Sequence, residues 1–145
     1  MTQVDFYILA HPQQRPLFAC RLAEKIYHLG KRVYLHTADE QQAQKIDDFL
    51  WIFQSGSFVP HECYQENHLA QSPVVIGYHP QPNVDADVLI NISDELPMFY
   101  SSFARVAEIV DGEDAIKLKA RDRYRLYRER GCIMLSHPID ATSSV

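Results

Sequence analysis

The order of apolar and polar positions divides the chain into alternating strands and helices. Val4-Asp5-Phe6-Tyr7-Ile8-Leu9 is a short, largely apolar run rich in β-formers, which predicts an internal strand of a covered sheet. His11 to Pro16 carries two prolines and breaks the run. Leu17 to Leu29 then has helical spacing, with Leu17, Cys20, Ala23, Ile26 or Tyr27 and Leu29 or Gly30 toward the buried side. Gly30-Lys31 ends that helix, and Arg32-Val33-Tyr34-Leu35-His36 makes a second strand. Thr37 or Asp39 can cap a second helix running to about Phe53, with Ala43, Ile46, Phe49 or Leu50 and Phe53 inward. Strand–helix–strand–helix at this spacing begins a parallel α/β fold.

The middle of the chain is less regular. Gln54 to His61 reads as a loop with Phe58 and Val59 ahead of Pro60, and His61 to Ser72 as polar and exposed. Strands are expected at Val74–Tyr78 and at Val88–Ile92; Phe103 to Val110 reads as helix or strand, and the α/β context favours a last strand at about Ala104–Val110, feeding a helix. Cys132-Ile133-Met134-Leu135 adds a short extended piece. Residues 1–135 therefore form one α/β domain, a mostly parallel sheet flanked by helices, and residues 136–145 a flexible tail.

The last helix, Glu113 to Arg130, carries the strongest local signals. Asp111, Glu113 and Asp114 crowd its start, Arg128 and Arg130 its last turn, and Gly131 the usual left-handed stop. Ile116, Ala120, Tyr124 and Tyr127 form its apolar stripe. Charge changes the picture here. Seven Lys and Arg against two acids make Lys117–Arg130 +5 (7 − 2), while the rest of the chain is −10 (7 − 17). Lys117, Arg121, Arg125 and Arg128 fall on one helical ridge, with Tyr124 on the border between ridge and stripe. Such a ridge suits an anionic partner with an apolar end; the competing reading is a solvated basic face, which is the expectation for Lys119, Arg123 and Arg130.

A chain of 145 residues can bury a core without disulfides or metals, and three scattered cysteines argue against a disulfide framework. The net charge of −5 argues against general affinity for nucleic acid, so anion binding must be local. The opening stretch has no basic n-region and its apolar run is too short for a membrane span, so the expectation is a cytoplasmic protein without membrane contact. No nucleotide cofactor is expected, because the turn after the first strand has no glycine and two prolines that lack an N–H. His61-Glu62-Cys63 with Glu66 and His68 fits no structural zinc spacing, so no metal is expected, and no catalytic constellation is visible.

Trp51 and Phe58 are the second unusual feature. Together on a surface they would anchor a protein partner, but pattern alone favours both folding back over the sheet edge.

Two motifs carry a family resemblance. Asp47-Asp48-Phe49-Leu50-Trp51 followed by Ser57-Phe58-Val59-Pro60-His61 is one, and Ala120-Arg121-Asp122-Arg123-Tyr124-Arg125-Leu126-Tyr127-Arg128 is the other. With Phe6-Tyr7-Ile8-Leu9 and Gly30-Lys31-Arg32-Val33, they make the chain resemble the chi subunits of bacterial DNA polymerase III holoenzyme, accessory parts of the clamp loader. The resemblance implies a mononucleotide-binding-like (Rossmann-like) fold without a phosphate loop, no catalysis of its own and a role in DNA replication. It implies binding of the acidic C-terminal tail of single-stranded-DNA-binding protein, with Lys117, Arg121, Tyr124, Arg125 and Arg128 matching the family's tail-binding residues and Val110 beside them. It also implies a surface for the psi subunit or, exclusively with it, a helicase, at Trp51, Phe58, Val59 and Pro60. DNA would be reached only indirectly. Two other classes compete: direct nucleic-acid binding by the same helix, and a small-molecule α/β enzyme. The chain departs from the enteric pattern between His61 and Asn83 and in its last ten residues.

Overall fold

The computed structural model describes residues 1–52 and 58–139. Seven strands, all parallel, form one sheet: β1 Gln3–Leu9, β2 Val33–His36, β3 His61–Cys63, β4 Val74–Gly77, β5 Val88–Asn91, β6 Arg105–Val110 and β7 Ile133–Ile139. Their order across the sheet is β3-β4-β2-β5-β6-β1-β7. Three helices cover it: α1 Arg15–His28, α2 Glu40–Ile52 and α3 Asp114–Glu129. Because side chains alternate along a strand, the core splits in two. Leu9, Leu35, Ile76, Ile90 and Ile109 pack under α1 and α2, while Phe6, Tyr34, Val75, Leu89 and Val106 pack under α3.

Both α1 and α3 end in the way their glycines predict. Gly30 and Gly131 have φ of +79° and +84°. At the end of α3, Gly131 N–H donates to Arg128 O and Cys132 N–H to Tyr127 O; Gly30 and Lys31 donate likewise to Tyr27 and Ile26. This paired closure satisfies carbonyls the helix would otherwise leave open, and glycine adopts the left-handed turn without a Cβ penalty.

The structure departs from the pattern reading in several places. α1 begins at Arg15, two residues early, because that guanidinium is held by Asp94 (3.2 Å) and Asp111 (3.5 Å). The buried side of α1 accordingly includes Phe18, Ala19 and Leu22, and leaves Leu29 exposed. His61–Cys63, expected as exposed loop, is an edge strand beside β4, its lead residue held by a 2.7 Å contact between His61 Nδ1 and Val59 O. Four residues of the expected tail, Ser136 to Ile139, belong to β7 and pair with β1 as far as Leu9.

That extension is physically reasonable despite Pro138. Ile133 N–H donates to Thr2 O and Ala10 N–H to Ile139 O, so the odd-numbered peptides of β7 face β1. Pro138 falls on the outward side, where its missing N–H breaks no ladder bond and blunts the open edge. Two further departures, the burial of Arg123 on α3 and the exposure of Trp51 and Phe58, belong to the surfaces described below. The inward placement expected for Phe53, and the loop from Gln54 to Ser57, lie outside the described residues, as does 140–145.

Candidate functional site

The basic helix is fixed to the sheet by a buried polar cluster. Glu108 points from β6 into the layer beneath α3 and is fully buried. Its Oε1 accepts from Arg123 Nε at 3.1 Å, and its Oε2 accepts from Asn91 Nδ2 at 2.9 Å and from the Tyr127 hydroxyl at 2.6 Å. Arg123 Nη1 donates to Asp94 O at 2.8 Å, and only 3% of the residue is exposed. Burial pushes the Glu108 carboxyl above the ordinary range, opposed by Arg123 and by the hydrogen bonds of Tyr127 and Asn91. Burial and the Glu108 charge both drive the Tyr127 hydroxyl upward.

This cluster divides the cations of α3 between two flanks. On the inner flank Arg123 is buried, Lys119 Nζ lies 3.9 Å from Asp94, and Arg130 sits 5.7 Å from the centre of the Tyr100 ring. A solvated basic face is therefore the wrong description of Arg123, whose charge the sheet compensates. The outer flank faces β1 and β7 and holds a groove of about 320 Å3. Its floor is apolar: Phe6, Val110 and Ala120 are buried, and half-buried Tyr124 packs on Phe6 at 5.3 Å between ring centres. Ile8 and Ser136 close the far wall, and Lys117 and Arg121 form the rim.

Lys117 and Arg121 have no ion pair among the described residues. Arg128 continues the line, its guanidinium 6.0 Å from the Tyr124 ring centre. Arg125 stands outside the lining, exposed and 3.9 Å from Asp122. The structure thus brings four of the six residues matched to the tail-binding set (Lys117, Arg121, Tyr124 and Val110) around one concavity, with Arg128 against the outer side of Tyr124 and Arg125 further off.

The Trp51 and Phe58 rings lie 5.3 Å apart and are 60% and 59% exposed, contrary to the burial that pattern alone favours. His61 packs edge-on to Trp51 at 4.7 Å between ring centres and props it outward. Ile52, which sequence reasoning passed over, is also exposed and widens the patch. Val59 does not belong to that surface: it is completely buried in the core under α1 and α2, while Pro60 is half-buried. A residue before a proline runs extended, and here that turns the Val59 side chain inward.

At the turn after β1, where folds of this type place phosphate, the chain has installed its own carboxylate. Asp111 accepts from Gln13 N–H at 3.3 Å and Glu113 N–H at 2.9 Å, beside the Arg15 guanidinium. Among the possible ligands between residues 61 and 68, Glu62 and Glu66 have protein partners: Glu62 accepts from Gln71 N–H and Ser72 Oγ, and Glu66 faces His79 at 3.5 Å. No group of three metal-ligating side chains occurs among the described residues. No helix among them is long and apolar enough to cross a membrane.

The family model described as "DNA polymerase III chi subunit, HolC" matches residues 1–134, spanning the basic helix and the Trp51–Phe58 patch together. The chain belongs to that family. Relatives named DNA polymerase III subunit chi include those of Pseudomonas aeruginosa, 45% identical over 94% of this chain and 96% of the relative, and Haemophilus influenzae, 37% identical over 88% and 90%. The Escherichia coli relative is 36% identical over 77% of each chain. A chi subunit is an accessory protein of DNA polymerase III, and its setting is DNA replication. Apart from Ser136, the groove and the aromatic patch both lie within the residues that the family model matches.

Proposed function

We propose that this chi subunit is a protein adaptor whose α3 groove binds the acidic C-terminal tail of single-stranded-DNA-binding protein. The observation that carries the reading is the pairing of an apolar floor with a rim of uncompensated cations. An acidic tail ending in an apolar residue needs both. Arg121 can grip carboxylates through its planar fork, Lys117 adds a point charge, and Tyr124 with Val110 and Phe6 receives the apolar end. The net charge of −5 disfavours the direct nucleic-acid reading of the same helix. The Trp51–Phe58–Ile52 patch serves as the dock for the psi subunit or, in its place, a helicase. This work belongs in the cytoplasm at the replisome and needs no cofactor and no catalysis by the chain itself.

The test titrates a fluorescent tail peptide against wild type, Arg121→Ala, Lys117→Ala and Arg125→Ala. Losing a partly exposed charge-assisted contact weakens binding by about tenfold at Arg121 and Lys117, and by less at Arg125. Unchanged affinity in folded Arg121→Ala with Lys117→Ala would sink the groove as the site. A shift of bare oligonucleotide at physiological salt, abolished by the same pair, would favour the nucleic-acid reading instead.

A further inference from the structure

A second groove lies on the opposite face of the sheet and is used by neither surface above. α1 packs over β2 and β6, and α2 over β3 and β4, so the strip of β1 and β7 on that side is flanked by α1 alone. The result is a concavity of about 480 Å3. Its floor is apolar, built from Tyr7, Phe18, Leu22, Ile26, Ala107 and Ile139, and Ile133 and Leu135 continue the apolar strip in the open along β7.

The charges around it are one-sided. Asp5 at the bottom is buried and already committed, to Arg105 Nη2 at 2.8 Å and to His137 Nε2 at 2.9 Å. The His137 ring in turn stacks on Tyr7 at 4.9 Å between centres. Lys25 and Lys31 stand at the rim, both exposed, and no ion pair holds either among the described residues. With His137 neutral, the lining carries three cations against one carboxylate, a local +2 (3 − 1) on a chain of net −5.

We infer that this groove docks a second acidic, apolar-bearing peptide segment from a protein partner. Charge complementarity selects an acidic occupant, because the lysines gain partners that the acidic remainder of the chain does not supply. The apolar floor and strip select side chains over a bare anion, and they count against nucleic acid, whose phosphates would meet that floor. Since the α3 groove opens on the other face, both grooves can be filled at once. The inference stands independently of the tail assignment.

The experiment uses the full chain, isotope-labelled and carrying Lys117→Ala and Arg121→Ala to silence the α3 groove. The probe is a synthetic peptide alternating Glu with Leu and Phe, followed by amide and side-chain shifts. Expected are shifts at Tyr7, His137 and Ile139, and an affinity loss of about tenfold or more in Lys25→Glu with Lys31→Glu. Neutral Lys25→Gln with Lys31→Gln should fall between, with the thermal midpoint as the check on folding. The inference is overturned if shifts stay on α3, if the charge-reversed pair binds as tightly, or if a Gln-for-Glu peptide binds equally well. It is also overturned if inorganic phosphate reproduces the shifts, or if the chain sediments alone as a dimer that the lysine variants dissolve, making the occupant a second copy.

Discussion

His36, at the end of β2, rests edge-on against Phe99 at 5.0 Å between ring centres, and its Nδ1 has no hydrogen-bond partner among the described residues. Burial holds its pKa down from 6.5 to about 4. The native state therefore keeps the ring neutral where the unfolded chain would already protonate it. Stability from this residue is complete above pH 6.5 and is lost as pH falls toward 4, by up to about 3 kcal/mol. Asp5 behaves differently: burial alone would raise its pKa, but His137 and Arg105 override that and lower it, so its stabilisation is lost only at still lower pH. Glu108, with its raised pKa, gains stability on acidification and partly masks the histidine. A His36→Phe variant separates them, since Glu108 is common to both proteins. Urea unfolding of wild type and variant from pH 7 to pH 4 should show the stability difference shifting by about 2–3 kcal/mol in favour of the variant. Parallel pH curves would mean that His36 is protonated in the native state.

At the scale of elements, α3 illustrates what periodicity can and cannot show. Its ends, its apolar stripe and the outer ridge were legible, because capping residues and 3.6-residue spacing are local properties. The burial of Arg123 was not legible, since it depends on a carboxylate fifteen residues earlier on β6, in a run whose own pattern does not decide between helix and strand. β3 was hidden for a similar reason: His-Glu-Cys carries no β-forming signal, and its place is set by β4 and by the His61 contact. The exposure of Trp51 and Phe58 ran against the pattern and with the family resemblance. The buried pair also yields a prediction. Arg123→Ala strands the Glu108 charge and should destabilise by about 3–5 kcal/mol, whereas Arg123→Leu with Glu108→Leu removes both charges and should recover much of that loss. Urea denaturation is the measure. A double variant as unstable as the single would mean that the cluster acts through packing rather than charge compensation.

Across the whole molecule the two proposed partner surfaces sit at opposite ends of the strand order. The α3 groove is walled by β1 and β7, while Trp51 and Phe58 ride on α2 and the approach to β3. Six strand spacings of roughly 4.8 Å put about 29 Å between the edges. That exceeds the screening length of about 8 Å at physiological salt, so charge on one partner is nearly invisible to the other. Nor is there a visible mechanical link: α3 is locked to β5 and β6 by Glu108 and Asn91, and α2 packs over β3 and β4. Additivity is expected for sites that share no partners. Trp51→Ala with Phe58→Ala should abolish psi or helicase binding yet leave tail-peptide affinity within about twofold, and saturation with either partner should change the other's affinity no more. Salt should then separate them. Raising ionic strength weakens the tail, held by exposed charges, and spares the aromatic patch, held by buried apolar area. Calorimetric titration of each partner with and without the other, at two salt concentrations, reads all four quantities. A coupling beyond about threefold would require a second arrangement of the sheet that both sites bias.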